Sequence, residues 1–363
     1  MNTTLIIDGN WLMMSRLFAV KRYFNMQNPE EMRKEGTVEL EDLLCKSINL
    51  VINKYSSIID NIILVGDGGS WRKRIPKPKC YTEEYKGNRV KDAELDWNCI
   101  YQALNNIMEQ AQNLGITVSK ASNIEGDDWV FHWSRYLNSK GINCIIWSSD
   151  CDLKQLVQVD NGAFTAWLNE SQKGGLPGLV LHKDLNDSQL SLEDIFMQVD
   201  RSNSTLDELK TLVQAVTYID PQDIIETKVI CGDKGDNIKP LVQVEKNGKK
   251  RNTTEKMWLE IKESLGIDTL DKFLHSRDAI CEAVCEKMKS KGQVSLLSAQ
   301  EMFWYNNILV KLDEDSIPVD IQNTMDEVEY KKYDLSYIRS NYKTLMLSKP
   351  IERSVEDIFD SMF

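Results

Sequence analysis

The residues best suited to chemistry in this 363-residue chain are nine acids in five separated segments. The segments read IIDGN, LVGDGG, IEGDDW, SSDCD and GDKGDN, and their acids are Asp8, Asp67, Glu125, Asp127, Asp128, Asp150, Asp152, Asp233 and Asp236. Carboxylate oxygens are good ligands for Mg²⁺, and two such ions about 4 Å apart activate a water and stabilise the leaving oxygen of a phosphodiester. Because one short motif does not surround two ions, acids from several segments predict a divalent-metal-dependent phosphodiesterase.

Each acidic segment also has an ordinary structural interpretation. Asp8 and Asp67 precede glycine, where Asp is a common turn residue. The acids of IEGDDW and SSDCD suit the first turn of a helix, and GDKGDN suits a plain turn. The joint occurrence of all five segments, mostly where a strand-like run ends, favours one shared metal site over five independent turns.

Two basic segments stand out on a chain whose net charge is −12. Residues 71–91 contain eight Lys and Arg against two Glu, and residues 239–256 contain six against two. Net negative charge alone argues against nucleic-acid binding. Because a carboxylate site lowers the net charge by itself, the distribution of charge is more informative. Two basic segments on an acidic protein indicate a path for a phosphate backbone.

The composition bounds the remaining possibilities. No apolar run approaches the roughly 20 residues needed to span a bilayer, and the N-terminus lacks the basic and apolar pattern of a signal peptide. We therefore expect no membrane anchor and a protein that stays where it is made. The eight cysteines form no CxxC pair, which favours reduced, mostly buried thiols over a disulfide or zinc framework.

Strand-like apolar runs alternate with helical patterns in the first half of the chain. Three of the runs end at or just before Asp8, Asp67 and Asp150. The helical patterns cover residues 39–55, 94–113 and 126–140. This alternation predicts an α/β fold with a mostly parallel central sheet, and such sheets carry their sites at the carboxyl ends of the strands.

The second half of the chain is less regular. Residues 160–210 have the character of an insertion that carries two short strands, AFTAWL and LPGLVLH, and a helix is predicted near 205–219. Beyond residue 255 the pattern is mainly helical. We therefore expect a smaller helical C-terminal domain after the α/β core.

Taken together, the acidic segments resemble those of the 5′ nuclease superfamily, which includes flap endonucleases, the 5′–3′ exonuclease domain of bacterial DNA polymerase I and phage ribonuclease H. IEGDD is similar to the family's Glu, small residue, Asp, Asp sequence, and SSDCDLKQLV to its Asp-x-Asp strand end. GDKGDNI resembles its Gly-Asp-x-x-Asp-Asn signature, and YTEEYKGNR its Tyr-Lys-x-x-Arg segment. These motifs cover most of residues 1–240 in the family's order. The basic GDK form looks closest to the ribonuclease H of T-even-like bacteriophages.

The resemblance implies a division of the chain. A PIN-like 5′ nuclease core would cover residues 1–238, with an arch at about 72–115 and the insertion at about 160–210. A helical duplex-binding domain would follow over 239–345, and a tail over 346–363. The tail ends in SVEDIFDSMF, which resembles the terminal peptides that dock on sliding clamps, although packing as a last helical turn is an equal alternative. The docking residues of that peptide are Ile358, Phe359, Met362 and Phe363.

The resemblance also implies roles for individual residues. The nine acids match the positions that hold two Mg²⁺ ions, for which Mn²⁺ substitutes, and Asp8 and Asp150 join Lys86 and Arg89 as catalytic residues. Lys86 and Arg89, with Arg72 beside them, match basic residues that contact the scissile phosphate. After GDKGDN the chain lacks the glycine pattern of the helix–turn–helix found in cellular members. Duplex binding is therefore predicted to use Lys246, Lys249, Lys250 and Arg251.

These expectations combine in a structure-specific 5′ nuclease that removes RNA primers or 5′ flaps in lagging-strand replication and repair. Its expected substrates are branched or nicked DNA and RNA–DNA hybrid with a 5′ end, with Trp97 and Tyr101 as base-stacking residues or as ordinary core residues. A sliding clamp and a single-stranded DNA-binding protein are candidate partners, and we expect a monomer in the cytoplasm of an infected bacterial host. A PIN-type ribonuclease and a non-catalytic DNA-binding replication factor are the alternatives.

Overall fold

The computed structural model describes residues 2–170, 177–186 and 203–340. Its strands are β1 (Thr3–Asp8), β2 (Asn61–Val65), β3 (Thr117–Ser119), β4 (Asn143–Trp147), β5 (Gln158–Asp160), β6 (Ala163–Asn169), β7 (Gly178–His182), β8 (Ala215–Ile219), β9 (Gln243–Lys246) and β10 (Lys249–Asn252). Its α-helices are α1 (Gly9–Val20), α2 (Glu30–Lys54), α3 (Trp97–Asn113), α4 (Gly126–Ser139), α5 (Asn203–Leu212), α6 (Pro221–Cys231), α7 (Glu255–Leu265), α8 (Leu270–His275), α9 (Arg277–Lys289), α10 (Leu296–Val310), α11 (Val319–Asp326) and α12 (Ser336–Ser340).

One large sheet organises the first part of the chain. Its strand order is β3-β2-β1-β4-β6-β7-β8, and β5 pairs with β6 at the side. The pairs from β3 to β6 are parallel, β6 and β7 are antiparallel, and β7 and β8 are parallel again. All six residues of β1 are buried, as expected for a central strand covered on both faces. The predicted α/β class with a mostly parallel central sheet is confirmed.

Helices cover both faces of this sheet. The period-two alternation of β1 sends Leu5 and Ile7 into a core shared with α1, α2 and α3, and sends Ile6 into a core shared with α4. The second of these cores also contains Leu312 and Met325, so the chain after α10 returns to the sheet.

A third core lies among the helices from α6 to α10. Trp258, Phe273 and Phe303 form its aromatic centre, with ring centroids 5.0–5.4 Å apart. Tyr81 and Tyr85, from the long connection before α3, pack into the same core. The described part of the stretch predicted as one domain over 239–345, residues 239–340, is divided between this core and the sheet, because residues after 310 pack on α4 and its neighbours.

Two elements differ from the sequence expectations. The helix predicted near 205–219 ends at Leu212, and AVTYI forms β8, whose β-branched and aromatic side chains suit pairing with β7. The basic segment after GDKGDN contains an antiparallel hairpin, β9–β10. Asn247 and Gly248 form its two-residue turn with φ of 54° and 70°, the Asn-Gly pattern of a type I′ turn. In the part of the chain that the structure describes, no helix is both long and apolar enough to cross a membrane.

Candidate active site

The carboxyl ends of β1, β2 and β4 bring three of the predicted acids to one edge of the sheet. Asp8 is the last residue of β1, while Asp67 and Asp150 follow the ends of β2 and β4 by two and three residues. Helix α4 begins at the same edge, where the Gly126 N–H donates to Asp67 Oδ1 over 2.5 Å. A Cβ on Gly126 would lie 2.9 Å from that oxygen, so glycine allows this close approach.

Ser148, which the sequence pattern did not single out, joins two of these segments. Its buried hydroxyl donates to Asp8 Oδ2 over 2.9 Å and accepts the Asp150 N–H over 3.0 Å. Asp8 also accepts the Trp11 N–H over 2.9 Å and so caps α1. The capping interpretation of Asp8 and its place in the site are therefore compatible.

Four of the acids line one cleft, of about 620 Å³. They are Asp8, Asp67, Asp127 and Asp150. Three cations and three rings also line this cleft: Lys86, Arg89 and Lys91, with Trp11, Trp97 and Tyr101. The cleft thus combines carboxylates, basic groups and aromatic faces.

The charge of Lys86 acts on the cleft carboxylates of Asp67 and Asp127 through space. Among the described residues none of the four cleft carboxylates forms an ion pair with Lys, Arg or His. Burial raises the pKa of Asp8 to about 7, and the carboxylates of Asp67 and Asp150 add to the rise. Burial also raises the pKa of Asp127 well above its ordinary value; Asp150 adds to this effect and the Lys86 ammonium opposes it. The cleft therefore holds negative charge that a bound cation would stabilise.

The chemistry of these donors fits a hard divalent ion. Within residues 2–170, 177–186 and 203–340, no three His, Cys, Asp or Glu side chains lie close enough together to hold a metal ion by themselves. The cleft instead offers four carboxylates along its lining. That arrangement suits Mg²⁺, which keeps several waters and takes one or two carboxylates, better than an ion that needs an all-protein cage.

Lys86 and Arg89 are held at the cleft by the GDKGDN segment. The Lys86 N–H donates to the Asp236 carbonyl over 2.9 Å, and Arg89 donates to the Asp236 carboxylate. The Lys86 ammonium donates to Glu125 Oε1 over 2.5 Å. Burial works to raise the pKa of Glu125, but Lys86 and Arg72 outweigh it and hold the pKa below its ordinary value. The predicted YKGNR and GDKGDN motifs therefore pack against each other.

Arg72 and Asp128 lie behind the cleft in a buried network. Arg72 is 1 % exposed and pairs with Glu125 at 2.8 Å and with Asp128 at 2.9 Å. Asp128 is fully buried, accepts from Trp71 Nε1 over 3.0 Å and accepts the Glu125 N–H at the start of α4. Arg72 was predicted to contact the scissile phosphate, and Asp128 was predicted to bind a metal ion. Both side chains are buried away from the cleft, so their positions do not match these roles. They contact Glu125 instead.

Asp152 and Asp233 form a separate group with Lys228. The Lys228 ammonium, on the last turn of α6, donates to both carboxylates. Burial works to lower the pKa of Lys228, but Asp152 and Asp233 outweigh it, so the pKa is raised and the side chain is cationic. Lys228 lies five residues before Asp233, and the sequence pattern had not assigned it a role.

The basic hairpin lies in the C-terminal region. Val244 of β9 is buried, whereas the predicted duplex-binding side chains of this segment are exposed. Those side chains are Lys246, Lys249, Lys250 and Arg251. Together with Lys291, which the sequence pattern missed, they line a groove without any acidic side chain. The Asn-Gly pair, a frequent two-residue hairpin turn, was the sequence signal that could have identified the hairpin.

Carboxylates at the carboxyl edge of a mostly parallel sheet, beside a Lys–Arg pair, are the groups that metal-dependent cleavage of a phosphodiester requires. Residues 3–175 match the family model of the 5′-3′ exonuclease N-terminal, resolvase-like domain. The resemblance to the 5′ nuclease superfamily, which the motifs predicted, is confirmed over this domain.

Relatives and solved structures extend the match along the chain. A 5′-3′ exonuclease of Mycoplasmopsis pulmonis is 22% identical over 349 residues, which cover 95% of this chain and 95% of that protein. The 5′-exonuclease of bacteriophage T5 with bound zinc ions is 17% identical, with a TM-score of 0.50, and the match covers 90% of this chain and 96% of the T5 chain. The T5 flap endonuclease, crystallised with DNA and metal ions, is 18% identical, with a TM-score of 0.50, and this match also covers 90% of this chain and 96% of the T5 chain. These two structures share the fold.

Proposed function

We propose that this chain is a divalent-metal-dependent, structure-specific 5′ nuclease that hydrolyses phosphodiester bonds near the 5′ end of branched or nicked nucleic acid. The observation that best supports the proposal is the cleft in which four carboxylates without an ion pair face Lys86 and Arg89. Mg²⁺ is the proposed ion, with Mn²⁺ as its substitute, because the donors are oxygens.

The cleft residues have distinct proposed roles. Asp8, Asp67, Asp127 and Asp150 would hold the ion, which when bound activates the attacking water and stabilises the leaving oxygen. Arg89 has a side chain that is 55% exposed, so it can reach a phosphate from the cleft wall. The side chain of Lys86 is 14% exposed and supplies a positive charge that Glu125 holds in place.

The nucleic acid would run from the cleft to the hairpin. Lys91 lies over the rings of Trp97 and Tyr101, at 5.5 and 4.4 Å from their centroids, and this aromatic wall suits stacking of unpaired bases. The basic groove of the hairpin suits a duplex backbone. The DNA bound by the T5 flap endonuclease supports nucleic acid as the ligand.

The biological role that we propose is removal of RNA primers or 5′ flaps in lagging-strand replication and repair. The protein would act as a monomer in the cytoplasm of an infected bacterial host, with a single-stranded DNA-binding protein and a sliding clamp as partners. The candidate clamp-binding peptide lies outside the described residues. Its docking residues are Ile358, Phe359, Met362 and Phe363.

The test of this function is cleavage of three labelled substrates with and without chelator. The substrates are a 5′ flap, a nicked RNA–DNA hybrid and a single-stranded RNA. We expect Mg²⁺-dependent cleavage of the flap or the hybrid, and Asp150→Asn should lower the rate by about 10²–10³-fold or more because the ion loses a ligand. Asp160→Asn, at an exposed strand end, is the matched control and should retain full activity.

Each other outcome favours an alternative. Cleavage confined to single-stranded RNA identifies a PIN-type ribonuclease. Binding of the flap without turnover identifies a non-catalytic replication factor. A fully active Asp150→Asn variant contradicts the assignment of the cleft as the active site.

A further inference from the structure

Lys228 lies between two of the acids that the sequence assigned to a metal site. Its ammonium contacts Asp152 Oδ1 and, at 2.5 Å, Asp233 Oδ2. The three side chains are between 19 and 26% exposed, so water screens their charges only in part. An ion shared by Asp152 and Asp233 would occupy the space that this ammonium fills.

The backbone builds this arrangement. Helix α6 ends at Cys231 and is capped by Gly232, whose N–H donates to the Lys228 carbonyl over 2.9 Å. The turn at Gly232 brings Asp233 back beside Lys228. Asp152 lies on the short 3-10 helix Cys151–Leu156, which packs against α6. The positions of Asp152 and Lys228 beside each other therefore follow from the packing of these two elements.

The predicted metal ligands thus fall into two groups with opposite electrostatics. The cleft acids have no ion pair among the described residues. Asp152 and Asp233 are neutralised by Lys228, and Asp236 pairs with Arg89 and, at 3.7 Å, with Lys86. The chain's own cations therefore pair directly with one group, whereas the other group is left without a direct partner for an external ion to supply.

We propose that Lys228 is a built-in counter-cation that takes the place of a second divalent ion between Asp152 and Asp233. The proposal rests on the proposed function, since it presupposes an ion held by the cleft acids, and it replaces two expected ions with one tightly bound ion per chain. A divalent ion that enters between Asp152 and Asp233 must displace the ammonium or share its ligands with a like charge, and both weaken binding.

Mn²⁺ binding to the metal-free full chain tests this directly, without any cleavage. Free and bound Mn²⁺ are counted by electron paramagnetic resonance and the affinities are measured by calorimetry. We expect one tight ion in the wild type, with a second at least about tenfold weaker. Lys228→Met should tighten the second ion by about tenfold or more, and Lys228→Arg should resemble the wild type.

Lys262→Met is the matched control, because Lys262 also bridges two carboxylates, those of Asp223 at 2.7 Å and Glu226 at 2.6 Å, on the same helix. Its Mn²⁺ stoichiometry should equal that of the wild type. Adding Asp152→Asn to Lys228→Met should abolish the gained ion.

Two ions of similar affinity in the wild type overturn the proposal, and this result needs no variant to fold. An equal gain in Lys228→Met and Lys262→Met also overturns it. Loss of the tight ion in Asp150→Asn separately tests the cleft site of the proposed function. A wild type that binds no ion contradicts that site, whereas the difference between wild type and Lys228→Met reports on Lys228 alone.

Discussion

Lys86 combines an uncommon backbone conformation with a fixed charge. Its φ is 56°, a left-handed value that non-glycine residues rarely adopt. The Asp236 carbonyl accepts its N–H and the Glu125 carboxylate accepts its ammonium, so both ends of the residue are held. A charge that is already in place needs little reorganisation when negative charge develops on a phosphate, and this makes Lys86 a candidate catalytic group.

Lys86→Ala should therefore lower turnover on a 5′ flap by about 10²–10³-fold, measured as kcat under saturating substrate. Substrate affinity should change little, because many other cations of the basic segment remain. Lys77→Ala is the control, since Lys77 belongs to the same segment but pairs with the exposed Glu84. A loss of affinity with unchanged kcat would show that Lys86 acts only in binding.

At the scale of elements, the end of α6 positions Asp233 and Asp236. Gly232 has φ 75° and ψ 177°, a conformation essentially confined to glycine. A Cβ at this position would lie 2.5 Å from the Ile238 carbonyl oxygen and 2.6 Å from Pro240 N. The turn from α6 into GDKGDN therefore needs glycine for both its backbone torsion and its close packing.

Gly232→Ala should destabilise the protein by about 3 kcal/mol or more in urea unfolding, because backbone strain and a backbone clash add together. Gly115→Ala separates the two effects. Gly115 has φ 89°, but a Cβ there meets nothing within 4 Å, so its substitution should cost only about 1–2 kcal/mol. Equal losses in the two variants would exclude the clash as a cause.

The β9–β10 hairpin is the element that carries the second basic segment. Replacing Lys249, Lys250 and Arg251 together by Gln should weaken binding of a nicked duplex and lower the salt dependence of log K by about 2–3. The turnover at saturating substrate should stay near that of the wild type, because the hairpin lies outside the cleft. Titration by fluorescence anisotropy at several salt concentrations measures both quantities.

The control for the hairpin neutralises three other lysines of the C-terminal helices, each of which pairs with an acid. They are Lys272, Lys287 and Lys289. This variant has the same net charge as the hairpin variant. An equal fall in affinity for both would show that total charge, rather than the hairpin, governs duplex binding.

At the scale of the whole molecule, the cleft makes stability depend on pH and on metal. The pKa of Asp8 is raised to about 7 by burial, from an unfolded value near the ordinary 3.9. The folded, metal-free chain therefore keeps a proton at Asp8 that the unfolded chain releases. The stability associated with that proton is present at low pH and is lost as pH rises through about 7.

We expect the free energy of unfolding of the metal-free protein to fall between pH 5 and pH 7, by up to about 1.4 kcal/mol per pH unit from Asp8. Urea unfolding in chelator measures it. Asp8→Asn should make the dependence shallower, although Asp127 keeps a contribution of the same sign. Asp160→Asn should match the wild type. An unchanged pH dependence in Asp8→Asn would remove Asp8 as its source.

Local sequence determined much of the architecture and the candidate cleft. Buried strands ending in Asp, followed by turns and helices, were sufficient to predict the parallel sheet and to bring Asp8, Asp67 and Asp150 to one edge, because parallel strands share that edge. The Asn-Gly turn of the hairpin is also signalled by adjacent residues in the sequence. Strand β8 was not predictable in this way, because its apolar run suits either a helix or a strand, and pairing with β7 decides between them.

Only the tertiary structure decided which charges face each other. Sequence placed Asp127 and Asp128 side by side, yet one lines the cleft and the other is buried against Arg72, because helix α4 turns them in different directions. Sequence likewise assigned Asp152 and Asp233 to a metal without showing the Lys228 ammonium between them. The residue types of a site are set locally, whereas its electrostatic balance depends on neighbours distant in the chain.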